Sequence, residues 1–168
     1  MPIKKKKKVK FEIERKFLLK NIPIFGKRKW SFLDIRQFYF NRKEDGKRVR
    51  YREAISDSGK IKYYSTQKDY VSEGTNAEDE FEITSVMFWK KFKETSNKRM
   101  IEKQRFIYNF GGHKFEIDRF IGMHIIILEV ELKNINEKIS FPDFIKKEII
   151  VEVTKTKEFG NYSLSSEC

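Results

Sequence analysis

Apolar and polar side chains alternate in short runs along almost the whole chain. Within residues 10–18, Phe11, Ile13 and Phe17 share one parity and Glu12, Glu14 and Lys16 share the other. That is the period-two pattern of a strand, whose successive side chains point to opposite faces. The same alternation, rich in Ile, Val, Phe and Tyr, predicts strands at 35–40, 47–53, 60–68, 79–84, 100–108, 113–120 and 126–132. Glu-Asp-Gly at 44–46, Ser-Asp-Ser-Gly at 56–59 and Gly-Gly at 111–112 are turn signals between them. Connections this short join antiparallel neighbours. The period changes at 85–98, where Val86, Trp89, Phe92 and Lys93 fall near one face and predict a helix whose aromatics serve packing; Pro142 opens the first turn of a second, shorter one. The pattern predicts a mainly β fold of α+β type, antiparallel, with a few flanking helices.

Composition narrows this reading. At 168 residues, with 39% hydrophobic and 15% aromatic residues, the chain is long enough for one domain with a proper core. The single cysteine, Cys168, excludes an internal disulfide framework, and two histidines make a histidine-based zinc site a poor fit. No apolar run reaches the roughly 20 residues of a membrane span, and the N-terminus lacks a signal-peptide core, which predicts a cytoplasmic protein. Net charge is +12, five units of it in Lys4 to Lys8. Residues 1–9 read as a mobile basic arm ahead of a single domain at 10–168, with nucleic acid the less favoured reading of the arm.

The 37% of charged residues is where the pattern becomes informative. Charged pairs two residues apart share a strand face, and most strands carry one sign: Arg50 with Arg52, Lys103 with Arg105, Glu80 with Glu82, Glu116 with Asp118, Glu129 with Glu131. An ordinary solvent face mixes signs and neutral polar residues. Like charges about 7 Å apart on one face repel, so something between the strands must absorb the repulsion. A divalent cation would neutralise the acids and a multiply charged anion the bases. Together they describe a phosphorylated ligand with Mg²⁺ or Mn²⁺ on hard oxygen donors. A closed barrel of about eight strands could collect these faces into one lumen and turn its apolar faces outward. Adding Glu12, Glu14, Lys16 and Lys68 gives eight acids against six bases. Such a lumen needs either metal ions to bring an anion in or segregation of its acids from its bases.

With EIERKFLL at 12–19 followed by IRQFYF at 35–40, RVRYR at 48–52, TQK at 66–68, EFEI at 80–83, IEKQRF at 101–106, FEIDRF at 115–120, LEVEL at 128–132 and EVTKTKEFGN at 152–161, the chain resembles the CYTH family of triphosphate tunnel metalloenzymes, in its bacterial inorganic-triphosphatase form. The resemblance covers about residues 11–164. It implies an eight-stranded antiparallel tunnel that hydrolyses a triphosphate, inorganic triphosphate first, to pyrophosphate and phosphate. Thiamine triphosphate, a nucleoside triphosphate, adenylate cyclisation, RNA 5′-triphosphate hydrolysis and non-catalytic polyphosphate binding are the alternatives. By position it implies phosphate contacts from Arg50, Arg52, Lys68, Lys103 and Arg105. Metal binding would fall to Glu12, Glu14, Glu129 and Glu131, with Glu116 and Asp118 in support, and Glu80 and Glu82 would be further tunnel acids. Lys16 and Tyr39 would position or activate water, with a structural ion pair the competing role for Lys16. A homodimer is a further implication. Departures from the family pattern are Phe159 in place of a common tyrosine, the missing acid after Thr154, the extra segment 72–77 and the lysine arm. Lys155 or Lys157 could still face the tunnel mouth.

Overall fold

A computed structural model describes residues 10–167. Residues 1–9, where the basic arm is expected, and Cys168 lie outside the described residues. Eight long strands form one antiparallel sheet that closes on itself: β1 (Lys10–Leu19), β2 (Ser31–Asn41), β3 (Arg48–Ser56), β4 (Ile61–Ser72), β5 (Thr75–Ile83), β6 (Arg99–Phe110), β7 (His113–Phe120) and β8 (Ile126–Glu131). The order around the barrel is β6-β2-β3-β4-β5-β1-β8-β7, and β7 pairs back onto β6. Two short strands are appended, β9 (Ile149–Glu152) on β1 and β10 (Ser166–Glu167) on β6. Closure leaves no long unpaired edge among the eight.

Outward faces are apolar and covered as the alternation requires. Helix α1 (Ser85–Glu94) lays Phe88, Trp89 and Phe92 over Phe38, Val49 and Tyr51 of β2 and β3. Thr84 caps it, accepting from the Met87 amide at 3.2 Å. The helix stops at Glu94, short of the expected residue 98, because the Thr95 hydroxyl bonds the Lys91 carbonyl and Asn97 takes φ 51°. On the other side, Phe25 and the segment carrying α2 (Asp143–Lys146) bury Phe17, Phe115, Ile117, Leu128 and Val130 of β1, β7 and β8. Pro142 precedes that helix as its N-cap and does not occupy the first turn.

Two local features differ from expectation. Segment 72–77 is strand and turn, not a separate loop: β4 and β5 extend through it, and the turn rests on Gly74 at φ 72°. A Cβ there would lie 2.8 Å from the Glu14 carbonyl, so only glycine lets the Glu14 amide bond the Gly74 carbonyl at 2.8 Å. The inward face is also not charged throughout. At one end of the barrel Leu18, Tyr39, Ile101, Phe120 and Ile127 point inward and pack against Val153, Phe159, Tyr162 and Leu164 of the C-terminal segment. That segment contains a 3₁₀ turn (Lys157–Phe159) and α3 (Asn161–Leu164). These elements are too short for periodicity to reveal.

Candidate active site

The middle of the barrel is a charged cavity of about 150 Å³ lined by eleven of the residues anticipated from sequence: Glu12, Glu14, Lys16, Arg50, Arg52, Lys68, Glu80, Arg105, Glu116, Glu129 and Glu131. Strand order fixes its polarity. Strand β3, bearing Arg50 and Arg52, lies four strands from β8, bearing Glu129 and Glu131, in either direction around the eight. Arginines therefore face carboxylates across the lumen.

The arginine wall is under-compensated. Arg50 Nη2 donates to Thr66 Oγ1 at 3.1 Å and Glu80 Oε2 at 3.3 Å, but its Nε is buried without a hydrogen-bond partner. Arg52 Nε donates to Gln37 Oε1 at 3.0 Å, and no carboxylate among the described residues is within ion-pair distance of its guanidinium. Burial, with Arg50 and Arg105 adding repulsion, pushes Arg52 down to about 10. A buried cation repelled by its neighbours and short of acceptors is a site for an anion.

The opposite wall is a set of interlocked ion pairs. Arg105 holds three carboxylates: Asp118 through Nε and Nη2, each at 2.7 Å, Glu116 through Nη1 at 2.7 Å, and Glu129 through Nη2 at 3.1 Å. Lys16 Nζ lies 3.2 Å from Glu14 and 3.4 Å from Glu129. Burial opposes its charge, but the two carboxylates outweigh burial and raise its pKa. Between these two carboxylates Lys16 is held as an ammonium. Glu14 is pushed up by burial and by Glu129 and Glu12, against Lys16. Glu129 is buried too, yet Lys16 and Arg105 hold its carboxyl well below the usual range. Lys68 contacts Glu12 Oε2 and lies 3.4 Å from Glu78 Oε2.

Four anticipated residues sit elsewhere. Lys103 and Asp118 are sealed beneath the cavity floor, fully buried and 2.6 Å apart, with Lys103 also donating to Asn161 Oδ1 at 2.7 Å. Tyr39 belongs to the inward apolar cluster, where its hydroxyl accepts from Gln37 Nε2 at 2.6 Å. Glu82 lies exposed beyond the cavity and pairs with Lys62 at 3.1 Å. Conversely, Lys10, Glu78, Lys114 and Asn161 line the cavity without having been anticipated. Glu78 continues the alternation of Glu80 and Glu82. The signal was lost only because β5 begins at Thr75 and not at residue 79.

The cavity opens two ways. One mouth, of about 930 Å³, is basic: Arg48, Lys155 and Lys157 surround it beside Tyr39 and Tyr162, and the Arg48 guanidinium lies 3.3 Å over the Tyr162 ring. Both C-terminal lysines thus reach the mouth. The other, of about 380 Å³, has Leu33, Ile35, Ala54 and Tyr64 on its wall beside Lys60 and Lys62.

The carboxylates fit a hard divalent cation by donor chemistry: burial and the neighbouring acids push Glu14 up, and Glu78 keeps a buried Oε2 that accepts no hydrogen bond. Among the described residues no three acids converge into a ready-made cage. A cation here would complete its shell with ligand oxygens and water.

No protein-family model matches the chain. It is 29% identical over 140 residues to the inorganic triphosphatase of Acetivibrio thermocellus, covering 82% of this chain and 85% of that protein. Among solved structures, the inorganic triphosphatase NE1496 superposes with a TM-score of 0.60 at 28% identity, over 92% of this chain and 97% of the other. A conserved hypothetical protein from Pyrococcus furiosus, 23% identical over 82% of this chain and 85% of its own, shares the fold at a TM-score of 0.51. The closed barrel is a triphosphate tunnel fold. Among the described residues no helix is long and apolar enough to cross a membrane.

Proposed function

We propose that this chain is a metal-dependent triphosphatase of the CYTH type that hydrolyses inorganic triphosphate to pyrophosphate and phosphate. The observation that carries the reading is the pair of under-compensated arginines on β3, Arg50 and Arg52, facing the carboxylates of β8 across one buried cavity. The similarity to inorganic triphosphatases supports the substrate class. Arg50 and Arg52 grip phosphate oxygens, guanidinium forks suiting them better than point charges would, while Arg105 stays engaged with Glu116, Asp118 and Glu129 and adds its charge to the lumen. Glu12, Glu14, Glu129 and Glu131 would hold Mg²⁺ or Mn²⁺, which would supply positive charge to the phosphate oxygens. Water attacks the terminal phosphorus, the bridging P–O bond breaks, pyrophosphate leaves with that bond's electrons, and the water's proton passes to solvent or to the departing pyrophosphate.

Held as an ammonium by Glu14 and Glu129, Lys16 acts as a hydrogen-bond donor that orients phosphate oxygen or water. Tyr39 is a positioning residue. It anchors Gln37, whose other end accepts from Arg52, so Tyr39→Phe should raise KM with a smaller effect on kcat. Lys103 and Asp118 set the position of Arg105 from below the floor.

The test is phosphate release from inorganic triphosphate, ATP, thiamine triphosphate and 5′-triphosphorylated RNA, with Mg²⁺, Mn²⁺ or chelator. Inorganic triphosphate should turn over fastest and chelator should abolish release. Tight triphosphate binding without hydrolysis under any condition would make the chain a binding module, and cyclic nucleotide with pyrophosphate would make it a cyclase. The mouth walled by Leu33, Ile35, Ala54 and Tyr64 favours a second reading, a triphosphate ester whose organic group rests there. On that reading Leu33→Asp, at a half-buried position of the same mouth, lowers kcat/KM for the ester and leaves inorganic triphosphate nearly unchanged.

A further inference from the structure

Glu78 is the lumen residue whose surroundings explain least about it. Its backbone is fixed on both sides, paired with Lys10 of β1 and Lys68 of β4. The side chain is 7% exposed, and its Oε2 is buried without a hydrogen bond although Lys68 Nζ lies 3.4 Å away. A buried carboxylate oxygen lacking a donor is costly and needs a partner. The same ammonium also touches Glu12 Oε2, so both carboxylates reach one point in space. Lys68 is the less fixed member. Its side chain is 31% exposed against 20% for Glu12, and it stands on a flexible four-carbon stem. Burial and Arg50 press against its charge, but Glu14, Glu12 and Glu78 outweigh them and raise its pKa, so it is an ammonium that a stronger anion can compete for. A phosphate bound at Arg50 would attract the ammonium off the two acids and leave them facing each other without a countercharge.

We propose that Glu12 and Glu78 form a two-carboxylate cation subsite, bridged by the Lys68 ammonium and open to Mg²⁺ or Mn²⁺ when a triphosphate draws Lys68 away. The subsite rests on the triphosphatase reading for its anion, but its cation chemistry can be measured without turnover. Two carboxylates are too few to hold a hexacoordinate ion alone, so phosphate oxygens and water complete the shell. Anion and cation then bind with positive cooperativity, because each removes the partner the other would have to displace.

Mn²⁺ binding, counted by electron paramagnetic resonance in the absence of anion, tests this. Lys68→Met should tighten binding at least tenfold over the wild type, and adding Glu78→Gln should return it to the wild-type level. With imidotriphosphate present, a non-hydrolysable probe, Glu78→Gln alone should lower Mn²⁺ affinity at least tenfold, Glu78→Asp by less, and Lys90→Met, on the exposed face of helix α1, not at all. Unchanged Mn²⁺ binding in Lys68→Met, or imidotriphosphate-linked binding indifferent to Glu78→Gln, would overturn the subsite. The same result in variants whose melting temperature falls would make Glu78 only a structural counterion. Absent hydrolysis with these Mn²⁺ effects intact would instead sink the triphosphatase reading and leave the subsite standing.

Discussion

Lys16 and Lys103 are both inward-facing strand lysines with a carboxylate beside them, and the fold drives their charges in opposite directions. Lys16, on the cavity wall and 18% exposed, has Glu14 and Glu129 within 3.4 Å. Its charge is reinforced despite burial. Lys103, beneath the floor, is fully buried beside Asp118, whose two oxygens are already engaged by Arg105. Burial dominates there, Arg105 and Arg52 add repulsion, and its pKa is pushed down to about 7. Having a carboxylate in contact is therefore not what keeps a buried lysine charged. What matters is how much of that carboxylate another cation has already claimed, and how much water remains.

Removing Arg105 should disturb the contrast most, since it serves both regions. Arg105→Met leaves Glu116, Asp118 and Glu129 short of a cation and should cost about 3–5 kcal/mol in urea unfolding, by the usual penalty for breaking a buried ion pair. It should also raise the Lys103 pKa, because Asp118 becomes Lys103's alone. Next in size is Lys16→Met, expected to cost about 3 kcal/mol at pH 7 on the same ground. With Lys16 gone, the raised pKa of Glu14 rises further, so the folded variant binds a proton that the unfolded chain does not. Stability lost at pH 7 should then return as pH falls toward 5, and Mn²⁺ should restore it at constant pH.

A subtler measurement reads Lys103 directly. Its folded-state pKa of about 7 lies below the ordinary 10.5. Between those values the unfolded chain carries a proton the folded one lacks, so this group makes stability rise with pH; below pH 7 its burial penalty is fully present. Urea midpoints at pH 7, 8 and 9 should show this rise in the wild type and lose it in Lys103→Met. Lys16 contributes no opposing slope there, since its raised pKa keeps it charged in both states below about pH 10. The smallest effect belongs to Asn161→Ala, which removes one acceptor from Lys103 and should cost about 1 kcal/mol, a melting shift of about 2–4 °C at this chain length.

Alternation alone marked all eight barrel strands. Each is long enough for a period of two to persist, and its faces differ in polarity at nearly every step. It also put Glu12, Glu14 and Lys16 on one wall and grouped the like-charged pairs, because side-chain direction in a strand follows from chain position with no knowledge of neighbours. The short C-terminal elements, with no period to display, were invisible. So was the inward apolar cluster, where Leu18 and Ile127 share a face with Lys16 and Glu129.

Which charges meet which was beyond one-dimensional reading. Lys103 and Arg105 are equivalent in sequence, two residues apart on the same face, yet one is sealed beneath the floor and the other lines the cavity. Glu78 stood outside the anticipated strand until the β4–β5 hairpin extended through Gly74 to include it. The sequence determined which way each side chain points, a local property of the extended backbone. Tertiary structure alone decided burial and partners, because both depend on strands brought together by barrel closure from distant parts of the chain.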